Sequence, residues 1–424
     1  MSMRIRSIHA MEVLDSRGNP TVSAEVELEG GTIAQASVPS GASTGSHEAV
    51  ELRDGDPRRF GGKGVLKAVE NVNSELAAAL RGMDADDQVA IDRRMIELDG
   101  SAGKSRLGAN AVLAVSCAVA RTAAAARRIP LWRHLSLHMA GDRVPSLPLP
   151  MINILSGGHH AGFGIEFQDF LIVPRGFPEF AEALEAAVAV HRAARTVLDE
   201  RGLVVTGLAD EGGWGPKLRT NEQALEILTA AMERAGFLPG SRMAIAVDVA
   251  ATHFYRDGRY VLHNEGRSLS GEEMVGLLER WIARYPVVSV EDGLAEDDWD
   301  GWRRLTAALG DRVQLIGDDL FATNLARLER GIAGGAANAV LVKMNQIGTL
   351  TETFEVIDRA RVAGYRAVIS ARSGETEDAF LADLAVASGA GQIKVGSVRT
   401  SERLAKYNRL LKIEGELQPP QSSQ

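Results

Sequence analysis

The rhythm of polar and apolar positions changes near residue 140. Before it, residues 3–14 and 21–37 alternate, as in Thr21-Val-Ser-Ala-Glu-Val-Glu-Leu28, which predicts half-buried strands. Gly30 and Gly31, between two such runs, predict a hairpin turn. Residues 63–80 place Val65, Val69, Val72, Leu76 and Leu80 on one helical stripe, and the Ala-, Val- and Leu-rich stretch 107–128 predicts a largely buried helix. The segment 141–150 carries Pro145, Pro148 and Pro150 and reads as a linker. Beyond it, short apolar runs lie near 148–154, 166–173, 203–208, 243–249, 286–291, 313–318, 338–343, 366–370 and 391–395. They alternate with amphipathic helical segments such as 178–201 and 270–284. Repeated strand-then-helix units predict a parallel sheet with helical crossovers, and seven to nine of them over about 280 residues favour a closed eight-stranded barrel over an open sheet. The expectation is an α/β protein, with an eightfold α/β (TIM-like) barrel over 141–424 preceded by a smaller α+β N-terminal domain over 1–140.

Composition refines this only a little. The chain has 424 residues and a formal net charge of -9, with no long Lys/Arg block. That argues against a nucleic-acid partner but leaves room for a small anionic substrate in a locally positive site. The one cysteine, Cys117, cannot form an internal disulfide and reads as a small buried hydrophobe in a reducing compartment. The N-terminal stretch has no continuous apolar core of a signal peptide, and no unbroken run of about 18 apolar residues predicts a membrane span. A cytoplasmic protein is expected. The polar tail 418–424 reads as disordered.

The chemistry lies where the apolar runs stop. Ala244-Ile-Ala-Val-Asp248 ends on an acid, as do Val287-Val-Ser-Val-Glu291, followed by Asp292, and Val313-Gln-Leu-Ile-Gly-Asp318, followed by Asp319. The run 338–343 ends on Lys343, Gln392-Ile-Lys394 places a second lysine, and Ala367-Val-Ile-Ser370 leads into Ala371, Arg372, Ser373 and Gly374. Glu211 lies in a glycine-rich loop after the run 203–208. In a barrel these ends meet at one mouth, so three acids and two lysines converge there. Three carboxylates without His or Cys are hard oxygen ligands suited to Mg²⁺. Two lysines beside them imply an anionic substrate and a possible base, and Arg372, Ser373 and Gly374 offer a phosphate cradle. Such concentrated positive charge is what stabilises the dianion formed when a carbon next to a carboxylate loses its proton, a pattern known for Lys- and Mg²⁺-dependent sites of the enolase superfamily.

Longer motifs then carry a resemblance over nearly the whole chain. Asp15-Ser-Arg-Gly-Asn-Pro-Thr21, Pro39-Ser-Gly-Ala-Ser-Thr-Gly45, Asp210-Glu-Gly-Gly213, Gly317-Asp-Asp-Leu320, Lys343-Met-Asn-Gln-Ile-Gly348, Ser373-Gly-Glu-Thr-Glu-Asp378, Gln392-Ile-Lys394 and Lys406-Tyr-Asn408 resemble the enolases. The resemblance implies a homodimer or a multiple of one, and two Mg²⁺ per site, one tight and one arriving with substrate. It implies Asp248, Glu291 and Asp318 as ligands of the tight metal. Ser40, in a loop that closes as a lid, would help hold the second. It implies Lys343 as the base that removes the C2 proton of 2-phosphoglycerate and Glu211 as the acid that helps the C3 hydroxyl leave. Lys394 would neutralise the substrate carboxylate, Arg372 and Ser373 would bind phosphate, and His160, Gln168 and Asp169 would line the substrate.

Some positions depart from the family's pattern. Ala371 stands where the family has His, Asp169 where it has Glu, and Ser156, His159, Gly162 and His253 replace Asn, Glu, Asp and Glu. Ala371 and Asp169 fall on the leaving-hydroxyl side, where loss of an acid–base partner costs about 10²–10⁴ in rate. Three readings stay open. One is an ordinary enolase. The second is a paralogue of phosphonate or phosphinate antibiotic biosynthesis, such as a carboxyphosphonoenolpyruvate synthase, acting on a bulkier phosphoenolpyruvate-like substrate. The third is a non-catalytic enolase-like scaffold.

Overall fold

The computed structural model describes residues 2–41, 47–205 and 207–417. The tail 418–424, and residues 42–46 of the expected lid, lie outside the described residues.

The N-terminal part is α+β, as the alternation predicts. Strands Ile5–Leu14, Pro20–Leu28 and Ile33–Ser37 form an antiparallel sheet in chain order. Gly31 makes the tight turn between the last two at φ +84°, a conformation that costs a residue with a Cβ. The stripe of residues 63–80 becomes a helical segment from Leu66 to Leu80 with a π-helical stretch at Val72–Leu76, and Val65, Val72, Leu76 and Leu80 are fully buried. Helix Ala109–Arg127 packs on the sheet with most of its circumference buried, since its alanines allow close approach. By length and apolar content this helix could cross a membrane, but 83% of its apolar window is buried inside the protein, as in the core helix of a globular fold. Cys117 sits on it, buried and unpaired.

The second part is a closed barrel of eight strands. Around the ring they are Val287–Glu291, Gln314–Gly317, Ala339–Val342, Arg366–Ser370, Gln392–Gly396, Leu149–Ser156, Asp169–Val173 and Ala244–Asp248. Helices Phe180–Glu200 and Gly271–Arg284 match the expected segments. Two expectations need correction, and one further element comes to light. The sheet is not wholly parallel: Asp169–Val173 runs antiparallel to both neighbours. The cause is local. Leu149–Ser156 and Asp169–Val173 are joined without a crossover helix, only a loop with one 3₁₀ turn at Gly158–Ala161, and a parallel partner needs a longer return path. The run 203–208 forms no strand at its described residues, only a bridge from Leu208 to Trp214. A small antiparallel sheet of Tyr255–Arg256, Arg259–Leu262 and Arg267–Leu269, invisible to the alternation argument because its strands are so short, is inserted after Ala244–Asp248.

Period-two geometry connects the barrel core to its mouth. Leu171, Ala246, Ile316, Leu341 and Val368 belong to one apolar cluster inside the barrel, separate from the larger core outside it. Side chains two positions along a strand point the same way. From this interior layer, one step further toward the mouth reaches Asp169, Asp248, Asp318, Lys343 and Ser370 in turn.

Candidate functional site

Two lysines meet the acids at that mouth. Lys394 Nζ donates to Asp248 Oδ2 at 2.7 Å and to both carboxylate oxygens of Glu291 at 2.8 Å. Lys343 Nζ donates to Asp318 Oδ2 at 2.5 Å, and Gln346 Nε2 donates to Asp318 Oδ1 at 3.1 Å. All five charged side chains are nearly or fully buried. Burial pushes both lysines toward the neutral amine, but the facing carboxylates outweigh it, so both are held above the usual lysine range, Lys394 well above. Each lysine thus already occupies a place where anionic oxygens converge on a positive charge.

The residues expected to cradle phosphate lie next to them. Arg372 forms a fork with Glu48, Nη1 to Oε2 at 2.9 Å and Nη2 to Oε1 at 3.2 Å, and reaches Asn345 Oδ1 at 2.9 Å. Ser40 and Gly374 exchange two backbone hydrogen bonds of 2.8 and 2.9 Å, which ties the N-terminal part to this turn. The Ser40 hydroxyl, however, faces away into an N-terminal ion cluster: it donates to Glu51 at 3.2 Å and accepts from Arg53 at 2.8 Å.

The opposite side is built around His160. Its Nδ1 pairs with Asp169 Oδ2 at 3.1 Å, and its Nε2 lies 4.0 Å from Glu211 Oε1. Asp169 Oδ1 also accepts from Asn153 at 2.6 Å and from Ser156 at 2.9 Å. Burial alone would strip the proton from His160, but Asp169 and Glu211 reverse that and lift it to about 9, so the ring is an imidazolium at neutral pH. Burial raises the Glu211 carboxyl, yet His160, Arg403 and both lysines bring it below the usual range.

One pocket takes in most of these groups: His160, Gln168, Glu211, Asp248, Asp318, Lys343, Arg372, Ser373 and Lys394, with Ala371 and His253 in its wall. Glu291 reaches it through Lys394, and Asp169 through His160. Ser40 is adjacent but does not line it. Sequence reasoning missed Glu48 and the bracing role of Asp292, whose two oxygens accept the backbone N–H of Asp318 at 2.9 Å and of Asp319 at 2.8 Å. Asp292 was visible as the residue after Glu291, and Glu48 had no signal because it comes from a loop of the N-terminal part.

The donor chemistry fits a hard dication. Asp248, Glu291 and Asp318 offer only oxygens, and the ammonium shared by Asp248 and Glu291 marks a place where those two carboxylates already grip a cation.

Comparison with known proteins agrees with the architecture. The family model described as enolase, N-terminal domain, matches residues 5–135, and that described as enolase, C-terminal TIM barrel domain, matches residues 144–422. A curated protein named enolase, from Acidothermus cellulolyticus, is 56% identical over 413 residues, covering 97% of this chain and 94% of its own length.

Proposed function

The chain belongs to the enolase family of lyases, and we propose that it interconverts 2-phosphoglycerate and phosphoenolpyruvate with Mg²⁺ at the barrel mouth. The observation that carries the reading is the division of one pocket into two halves. One is lined by Asp248, Asp318, Lys343, Lys394 and Arg372, with Glu291 behind Lys394, and the other by Glu211 and His160, with Asp169 behind the imidazole.

In this reading Arg372 and Ser373 bind the phosphate and Lys394 faces the carboxylate of the substrate. Lys343 takes the C2 proton onto Nζ, leaving an electron pair at C2. That pair forms the C2–C3 double bond as the C3–O bond breaks, and Glu211 gives its proton to the departing hydroxyl, which leaves as water. A carboxylate held low is a poor acid at rest, so Glu211 must take up a proton before it can serve as the acid. Asp248, Glu291 and Asp318 would hold one Mg²⁺, and Ser40 would help hold a second after turning its hydroxyl from Glu51. When bound, Mg²⁺ would supply positive charge against these carboxylates and that of the substrate, and Asp318, as one of the residues holding it, would grip Lys343 less firmly in the ion pair that keeps the lysine protonated.

The altered leaving-group side favours retained activity more than its sequence suggests. Asp169, one carbon shorter than Glu, is gripped by Asn153 and Ser156 and still orients His160 toward Glu211. Relatedness to a curated enolase supports the same reading, and neither comparison supports a role in phosphonate biosynthesis. A division at residue 140 and assembly into a homodimer or a multiple of one complete the proposal, both supported by family membership. The decisive experiment follows the ultraviolet absorbance of the enol product from 2-phosphoglycerate with and without Mg²⁺. Mg²⁺-dependent turnover in the range of about 1–10³ s⁻¹ is expected. A rate several orders lower, rescued by Ala371→His with Asp169→Glu, would overturn it in favour of the paralogue.

A further inference from the structure

A second group of metal-ligating side chains lies in the N-terminal part, with none of its members in the barrel-mouth pocket. Helix Leu131–Met139 carries His134 and His138 one turn apart, with ring centroids 4.5 Å from each other. Asp86, from the turn before helix Gln88–Asp99, faces them. One ligating atom from each of the three lies within 4.8 Å of the others.

The His134 ring points to a ligand of its own accord. The residue is 1% exposed, and its Nδ1 is buried with no hydrogen-bond partner. A buried imidazole nitrogen left unpaired carries its desolvation cost uncompensated, and nearly all such groups in folded proteins find a partner. Burial, reinforced by His138, holds this ring at a pKa of about 4, so its lone pair is free at neutral pH. Asp86 is fixed in place by Arg127, whose Nε reaches Oδ1 at 2.7 Å and whose Nη2 reaches Oδ2 at 2.5 Å. A carboxylate has about four lone-pair sites, so this fork leaves acceptor capacity for a metal.

We propose that His134, His138 and Asp86 form a binding site for a borderline d-block dication such as Zn²⁺, with water in the remaining position. Two imidazoles and one carboxylate are the donor set such ions prefer, whereas Mg²⁺ prefers an all-oxygen set like that of the barrel mouth. Two histidines at i and i+4 share one helix face, the spacing used by helical zinc sites. Bonds of about 2.0–2.2 Å require the three donor atoms to draw closer than 4.8 Å, and the exposed His138 is free to make that adjustment. Binding through Nδ1 would give His134 the partner it lacks. The bound ion would staple helix Leu131–Met139 to the turn at Asp86.

The test uses full-length protein in excess Mg²⁺. Zn²⁺ is titrated by calorimetry, and Co²⁺ by the visible bands that report a four-coordinate site. The wild type should bind one more d-block ion per chain than His138→Ala, or bind it at least about tenfold more tightly. Turnover of 2-phosphoglycerate should be the same in both, because His138 touches none of the barrel-mouth groups. Equal stoichiometry and affinity in the two proteins, or no Mg²⁺-insensitive ion on the wild type, would overturn the proposal.

Discussion

Asp169 opens its strand directly across from Asp248, which closes its own. The two strands run antiparallel, so the first residue of one and the last residue of the other stand side by side at the same barrel mouth. Asp248 is bound by Lys394 on one side of the pocket, and Asp169 is bound by His160 on the other. The reversed strand is what brings the two halves into contact.

Asp169→Asn should therefore act through His160. Folded His160 titrates at about 9 against an ordinary 6.5, so its charge stabilises the fold fully below about 6.5 and is lost as pH rises through 9. Without the Asp169 charge, the His160 titration followed by NMR should move down toward the ordinary value, and kcat should fall by about 10²–10⁴. An unmoved His160 titration would show that Asp169 does not set its charge.

Lys394→Met should destabilise the metal-free protein by about 3–5 kcal/mol, because Asp248 and Glu291 are left buried with no cation between them. Mg²⁺ should raise the melting temperature of this variant more than that of the wild type. An equal rise in both would argue against Asp248 and Glu291 as ligands.

Ala371→His tests whether the departure from the family pattern disables the enzyme. Ala371 is 7% exposed in the pocket wall. Adding an imidazole there should cost about 1–3 kcal/mol through overpacking and should not raise the turnover of 2-phosphoglycerate. A gain of tenfold or more would mean that the alanine belongs to a different reaction.

Acid should weaken the fold through three histidines. Burial is the largest influence on each of His134, His191 and His253, and holds all three near pKa 4. Their unfolded forms take up a proton near 6.5, so the unfolded chain binds more protons between about pH 6.5 and 4 and stability falls over that window. Urea unfolding at stepped pH should show a slope of about one proton per histidine, and His191→Gln should remove one of them. An unchanged slope in His191→Gln would mean that His191 is not buried neutral.

Much of the barrel was legible because its strands obey a simple rule. Interior positions alternate apolar with outward-facing residues until the last inward step, where Asp248, Asp318 and Lys343 break the apolar run. A charge at that register costs too much to bury without a partner, so its appearance in several successive units signals a shared site. The direction of Asp169–Val173 was not legible, because period-two alternation is the same for either strand direction. Glu48 was hidden for a different reason. Its partnership with Arg372 spans most of the chain, and no local spacing records it.

The sequence by itself determined the family, the strand-and-helix rhythm and the identity of the charged groups, since each is written in local spacing or contiguous motifs. Only the tertiary structure decided which charges pair. Lys394 sits between Asp248 and Glu291, Lys343 sits on Asp318, His160 stands between Asp169 and Glu211, and the Ser40 hydroxyl points to Glu51 and Arg53. Ion pairing depends on distances of a few ångströms between strands far apart in the chain. Those distances are set by barrel closure and by the one reversed strand.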